Sequence, residues 1–165
     1  MTLTAQLHDF WSAFRSAAAD ADGKRLDERF YEAFFFGDSQ PLADELAALV
    51  LQGRKRATAG SVWSFEAEGK RLPRPGDLSI VTNWAGKPLC VIETLSVEVL
   101  PFREVGAEFA ATEGEGDGTL AYWQQGHRAY FNRECERAGR RFEEGMPVAC
   151  ECFRVIYQPG HGAAT

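Results

Sequence analysis

The chain has 165 residues, 45% of them hydrophobic and 12% aromatic, with a formal net charge of −6. That length fits one domain with a real core, and that composition excludes a disordered chain. No stretch approaches the roughly 18 uninterrupted apolar residues of a membrane helix, and the negative total argues against a protein that coats duplex DNA.

The opening "MTLTAQLHDFWSAF" has no basic leader ahead of an apolar run, and the expectation is a cytoplasmic protein. Leu7, Phe10, Trp11, Phe14, Ala17 and Ala18 recur at spacings of three and four, which predicts an amphipathic helix over residues 4–20, ended at Gly23. "DERFYEAFFFGDS" is dense in aromatics and closes in a Gly-Asp-Ser turn. Asp38 or Ser39 can cap the next helix, and Pro41 suits its first turn, where a missing N–H costs little. Leu42, Leu46, Leu49 and Val50 form its buried stripe, and Gly53 is a C-terminal stop.

The period then changes. "ATAGSVW" and "DLSIV" read as short strands separated by the turn former "LPRPGD", and "NWAGKP" reads as a hairpin turn before "LCVIETLSVEVL". In that last strand Cys90, Ile92 and Thr94 share one face, while Val91, Glu93 and Leu95 share the other. Glu93 thus stands on an otherwise apolar face, where a carboxylate needs either an arginine partner or a wet cavity floor. "FREVGAEFAA" predicts a short helix and "ATEGEGDGT" an acidic glycine-rich loop, in which Asp117 can cap the next helix. "LAYWQQGHRAYFNRECERA" predicts that helix, a long one, and "PVACECFRVIY" a final strand before a loose tail. Helices first, then short strands broken by a helical excursion, point to an α+β fold: a small mixed or antiparallel β-barrel with flanking helices and an N-terminal helix.

Cys90, Cys135, Cys150 and Cys152 lack Cys-x-x-Cys spacing and a paired-histidine partner, so they read as reduced, small apolar side chains and not as a metal set. His8, His127 and His161 are too scattered to argue for a metal. The charges are unevenly spread. Gly53 to Arg74 holds six cations (Arg54, Lys55, Arg56, Lys70, Arg71, Arg74) against Glu66 and Glu68, whereas Glu104 to Thr119 holds five acids and no cation. Facing one another, these segments make a polarised cleft; apart, they are solvated faces.

In order, "FFFGDSQPLADELAALVLQGRKRATAG", "LPRPGDLSIV", "PLCVIETLSVEVLPFREV", "EFAATEGEGDGTLAYW", His127 and "CFRVIY" resemble the ASCH (ASC-1 homology) domain of the PUA-like superfamily, from about Tyr31 to Tyr157. The resemblance divides the chain into an N-terminal helix (1–26) packed on the core, an ASCH domain (27–157) and a tail (158–165). It implies a PUA-like β-barrel with a cleft beside the G-x-K-x-x-T segment and a general expectation of RNA or nucleotide binding. Some members of similar length are associated with cleavage of single-stranded RNA. Shorter members remove the acyl group from N4-acetylcytidine with a Lys, a Thr and a Glu. By motif these are Lys55, Thr58 and Glu113, the last with a possible slip to Glu115. The chain departs from the pattern in having Ala59-Gly60 before Ser61, and Asn132 after Tyr130-Phe131 where some relatives carry a hydroxyl.

Lys55 and Thr58 diverge if their segment is extended and converge if it turns. Arg54 and Arg56 are neighbours able to depress a lysine pKa and to meet phosphates. Trp63, directly after the basic loop, is the first choice to stack on an unpaired base, with Trp84 and Trp123 as further candidates. Glu93, His127 and Asn132 complete the substrate-binding set, although a histidine on an apolar helix face is more often a hydrogen-bonded core residue than a catalyst. Three functions are open to such a set: single-stranded RNA binding with ribonuclease activity, aided by a divalent ion if the acids hold one; amidohydrolysis of an acylated cytidine; or a binding module without catalysis. The sequence carries no signal for oligomeric state.

Overall fold

The computed structural model describes residues 3–18 and 23–160. In chain order the elements are α1 (Ala5–Ala17), α2 (Gly23–Arg29), β1 (Phe30–Phe34), α3 (Gln40–Leu51), β2 (Ala57–Ser61), α4 (Val62–Ala67), β3 (Leu78–Thr82), β4 (Pro88–Pro101), a 3₁₀ turn (Phe102–Glu104), α5 (Ala107–Glu113), α6 (Leu120–Arg137) and β5 (Pro147–Tyr157). The first predicted helix is present; its last two expected residues, 19 and 20, lie outside the described residues, as do His161 and residues 161–165 of the expected tail.

The strands form one mixed sheet in the order β1-β3-β4-β5-β2, parallel between β1 and β3 and antiparallel elsewhere. It is not a barrel, which corrects the expected closure. The two edge strands, β1 and β2, are not paired with each other; each is five residues long, against fourteen in the central β4. Side chains from both edges instead line one cavity.

Helices cover both faces. Trp11, Phe14 and Leu26 pack against Leu78, Ile80 and Val91. Leu46, Ala47 and Val50 of α3 pack with Val81, Cys90, Ile92 and Phe153. The β4 side chains therefore alternate between the two layers as their period of two requires. Trp123, Phe131 and Cys135 of α6 close a third cluster with Phe102, Met146, Val148 and Cys150.

Ser39 accepts from the Leu42 N–H at the start of α3, with Pro41 in the first turn. Gly53 follows its end at φ +78°, a conformation that favours glycine. The cap of α6 is Thr119, whose hydroxyl accepts from Tyr122 N–H, while Asp117 in turn accepts from Thr119. The four cysteines are free; Cys90, Cys135 and Cys150 are buried, and burial pushes the Cys90 and Cys150 thiols up to about 12.

Candidate functional site

The basic bend does not gather its three cations at one place. At the end of α3, the Arg54 and Lys55 amides both donate to Leu49 O, and Arg56 N–H donates to Thr112 O. Successive side chains then alternate: Arg54 and Arg56 are exposed, while Lys55 turns inward and is 1% exposed. Arg54 and Arg56 are absent from the wall of the cavity that Lys55 helps to line.

That cavity measures about 270 Å³, near the lower end for a small-molecule site. Lys55 and Thr58 both reach it, because the Lys55 side chain folds back and its Nζ donates to Ala57 O at 2.7 Å. The acidic loop arrives from the other side. Lys55 Nζ donates to Glu115 Oε1 at 2.9 Å and lies 3.8 Å from Glu113 Oε2 and 5.1 Å from the centre of the Phe36 ring. The basic and acidic segments do face one another: Lys55 meets the glutamates at the cavity, while Arg54 and Arg56 lie beside Gly114 and Asp117 on the outer side. Gly114 permits it: its φ is +69°, and a Cβ there would lie 2.0 Å from the Arg54 carbonyl oxygen.

The two glutamates differ. Glu113, at the end of α5, is fully buried and stands behind the cavity wall; Glu115 lines the cavity. His127 Nδ1 is 3.0 Å from Trp123 O, a group that only accepts, so Nδ1 carries a proton. Its Nε2 lies 3.1 Å from Glu113 Oε2. Neither Glu113 oxygen receives a well-directed hydrogen bond, so charge contacts hold it in place. Burial alone would raise the Glu113 pKa, but the charges of Lys55 and His127 outweigh it and pull it down to about 2. Burial would likewise lower His127, yet the Glu113 carboxylate raises it. Glu115 is pushed up by burial and by repulsion from Glu113, against the pull of Lys55. His127, stacked on Trp123 with ring centroids 4.2 Å apart, is at once a core residue and part of the cavity wall.

Glu113, Glu115 and His127 present ligand atoms within 4.8 Å of one another, the sort of group a divalent ion uses. The Lys55 ammonium already stands against both carboxylates, so this set does not fit a divalent ion without displacing it.

Besides Arg54 and Arg56, four predicted binding residues stand elsewhere or turn away. Glu93 takes the arginine alternative: Oε2 accepts from Arg29 Nη2 at 2.6 Å and Oε1 from Arg154 Nε at 2.7 Å, away from the cavity. Trp63 packs on the α6 cluster with Arg140 stacked 3.7 Å over its ring, which occupies the face a base would need. Trp123 is buried in the core, with its ring between Phe102 and His127. Asn132 is exposed and donates to Arg128 O at 2.8 Å, on its own helix. The aromatic wall comes instead from Phe34, Phe35, Phe36, Phe65, Tyr122 and Tyr130. Trp84, 40% exposed, packs on Phe35 with ring centroids 4.7 Å apart. Sequence reasoning missed Glu32 and Glu151, which also line the cavity; a glutamate in the otherwise apolar run "VACECF" was the available signal for the second.

The ASCH domain family model matches residues 32–157. The chain belongs to the ASCH domain family. The crystal structure of an ASCH domain from Lactobacillus crispatus JV V101 is 35% identical, covering 96% of this chain and 98% of that one, with a TM-score of 0.86. Protein EF3133 from Enterococcus faecalis V583 is 30% identical, covering 92% and 88%, with a TM-score of 0.79. The hypothetical protein PH0355 is 17% identical over 77% of this chain and 99% of that one, with a TM-score of 0.51, and shares the fold. No curated protein matches the chain. ASCH domains as a family are generally associated with RNA binding. Among the described residues, no helix is long and apolar enough to cross a membrane.

Proposed function

We propose that this ASCH protein takes a single nucleobase or nucleoside into the cavity and hydrolyses an acyl group from its exocyclic amine, as in deacylation of N4-acetylcytidine. The observation that supports this reading is the charge of the wall. Its cations are already engaged, Lys55 by Glu115 and Glu113 and Arg133 by Asp38, whereas Glu32, Glu115 and Glu151 all face the cavity. A track for several phosphates needs cations ready to replace counterions, and this wall suits a neutral ligand better.

In this reading the acyl carbonyl lies against the Lys55 ammonium, which stabilises the negative charge that develops on its oxygen. Thr58 Oγ1 attacks the carbonyl carbon and its proton passes to the Glu115 carboxylate. As the C–N bond breaks, Glu115 returns that proton to the departing amine. Water then cleaves the ester on Thr58 by the same route in reverse order: Glu115 takes the water proton, Thr58 Oγ1 recovers it, and the carboxylic acid leaves. A carboxyl whose pKa is raised towards the working pH suits such two-way transfer. Glu113 and His127 position Lys55 from behind.

The family association with RNA binding supports a second reading, in which the same cavity receives an unpaired base from a single strand. One experiment separates them. The protein and its Lys55→Ala variant are incubated with N4-acetylcytidine and, separately, with labelled single-stranded RNA and a divalent metal. Deacetylation that falls by at least about 100-fold in the variant is the expected result. Lys55-dependent RNA cleavage without deacetylation replaces the proposal with a ribonuclease. RNA binding that weakens steeply with salt, with no turnover of either substrate, makes the protein a binding module.

A further inference from the structure

We propose that Glu151 reads the edge of the base, its carboxyl pairing with the ring N3 and the exocyclic N4–H of a cytosine-type ligand. This inference rests on the reading of the cavity as a nucleobase site. The β2–β5 register sets Glu151 directly opposite Thr58, so the two side chains are neighbours on one sheet face, and both line the cavity. A base held at Glu151 by N3 and N4 therefore carries its N4 substituent beside Thr58, where the reaction needs it.

The carboxyl is fixed but not neutralised. Thr94, itself buried, donates from Oγ1 to Glu151 Oε2 at 2.6 Å, which sets the carboxyl plane. No cation pairs with Glu151 among the described residues. The groups facing it are Tyr31 and Glu32 on β1, Lys70 (itself paired with Glu32), Asp77 ahead of β3 (paired with Arg71), Thr94 on β4 and Thr58 on β2. Burial above all, then repulsion from Glu32 and Asp77, outweighs the Thr94 bond and the Lys70 charge, and raises Glu151 to about 7.

The pairing follows from donor and acceptor counts. A protonated carboxyl offers one O–H to the N3 lone pair and one oxygen to N4–H, two parallel hydrogen bonds. An ionised carboxyl has lost the O–H and meets the N3 lone pair with repulsion. A uracil-type base presents N3–H and a carbonyl instead: the protonated carboxyl pairs with both, and on ionisation it exchanges the O–H bond to that carbonyl for a stronger, charge-assisted bond from N3–H. The sign is therefore fixed: cytidine binding is strong while Glu151 is protonated and weakens as pH rises through about 7, whereas uridine binding is far less sensitive.

The test measures affinity for cytidine and uridine, neither of which turns over, by calorimetry across pH in the full chain and in Glu151→Gln and Glu151→Ala. In the unaltered protein the cytidine Kd should rise about tenfold between about pH 6 and 8, and the uridine Kd less than about twofold. The glutamine amide donates to N3 and accepts from N4–H, so Glu151→Gln should keep cytidine binding and flatten its pH profile. Glu151→Ala should lose about tenfold at pH 6 or more. Thermal unfolding of each variant separates lost binding from lost folding, and the near-isosteric glutamine protects the test. A pH profile unchanged in Glu151→Gln, with deacylation intact, overturns this inference and leaves the proposed function standing. Failure of both nucleosides to bind the unaltered protein overturns both. Cytidine binding that weakens through about pH 7 and loses that dependence in Glu151→Gln, without any deacylation, keeps the inference and removes the enzyme.

Discussion

Two clusters of opposite charges sit on the same sheet, and they are built to different ends. At Glu93 each carboxylate oxygen has its own guanidinium, from Arg29 and Arg154, and Arg29 Nε also donates to Gly76 O at 2.7 Å. Both arginines are partly exposed, so no charge is stranded. At Lys55 two carboxylates and an imidazole crowd one ammonium, Lys55 is 1% exposed and Glu113 is 0% exposed, and neither Glu113 oxygen receives a directed hydrogen bond. The first cluster is a satisfied stitch between α2, β4 and β5. The second holds a buried ammonium between two carboxylates at the cavity wall, the kind of place where displaced pKa values gather in functional sites.

The sharpest way to break this comparison is to remove one cation from each. Lys55→Met strands Glu113 and should cost roughly 3–5 kcal/mol, as expected for a buried pair that loses a partner. Arg154→Ala should cost about 1 kcal/mol or less, since that guanidinium is largely solvated and Arg29 remains. Urea unfolding of both variants checks it, and equal losses would put the two clusters in one class.

A smaller effect comes from pH. His127 has a raised folded pKa, so its contribution to stability is complete below its unfolded value of about 6.5 and disappears as pH rises through the folded value. Glu113 behaves oppositely, contributing above about 4.5 and losing that contribution as pH falls towards about 2. Unfolding free energy should therefore decline on the alkaline side of about pH 6.5 in the unaltered protein, and decline less in His127→Gln. Unfolding curves over this range give the slope; parallel slopes would mean that His127 is neutral in the fold.

The smallest effect is expected from Arg54→Ala combined with Arg56→Ala. Both side chains point away from the cavity, so affinity for cytidine should stay within about twofold and stability within about 0.5 kcal/mol. A tenfold loss of cytidine affinity would return these arginines to the site.

Much of the helical part was legible from local signals. Ser39, Pro41 and Gly53 delimit α3, and the alternation along β4 sorts Cys90 and Ile92 from Val91 and Glu93. β1 was not, because "FYEAF" carries no clean alternation and its partner is a parallel strand forty-odd residues away. The barrel failed for a related reason: strand content is a local property, whereas closure depends on whether two edges meet. Trp63 shows the same limit, since an aromatic side chain near a basic loop looks available until Arg140 is found stacked upon it.

Legible in the linear chain were most of the element types (though not α2, β1 or α4), the α+β class, the family, and the presence of a lysine, a threonine and nearby acids able to do chemistry. Periodicity, caps and turn residues act over a few positions, and motif order survives in a linear string. Only the tertiary structure decided which side chains share the cavity. It turned Lys55 in and Arg54 and Arg56 out, put Glu115 and not Glu113 on the wall, and brought Glu151 opposite Thr58. Those choices depend on strand register and on the left-handed turn at Gly114 against the Arg54 carbonyl, which set Lys55 and Glu115, sixty residues apart, at 2.9 Å.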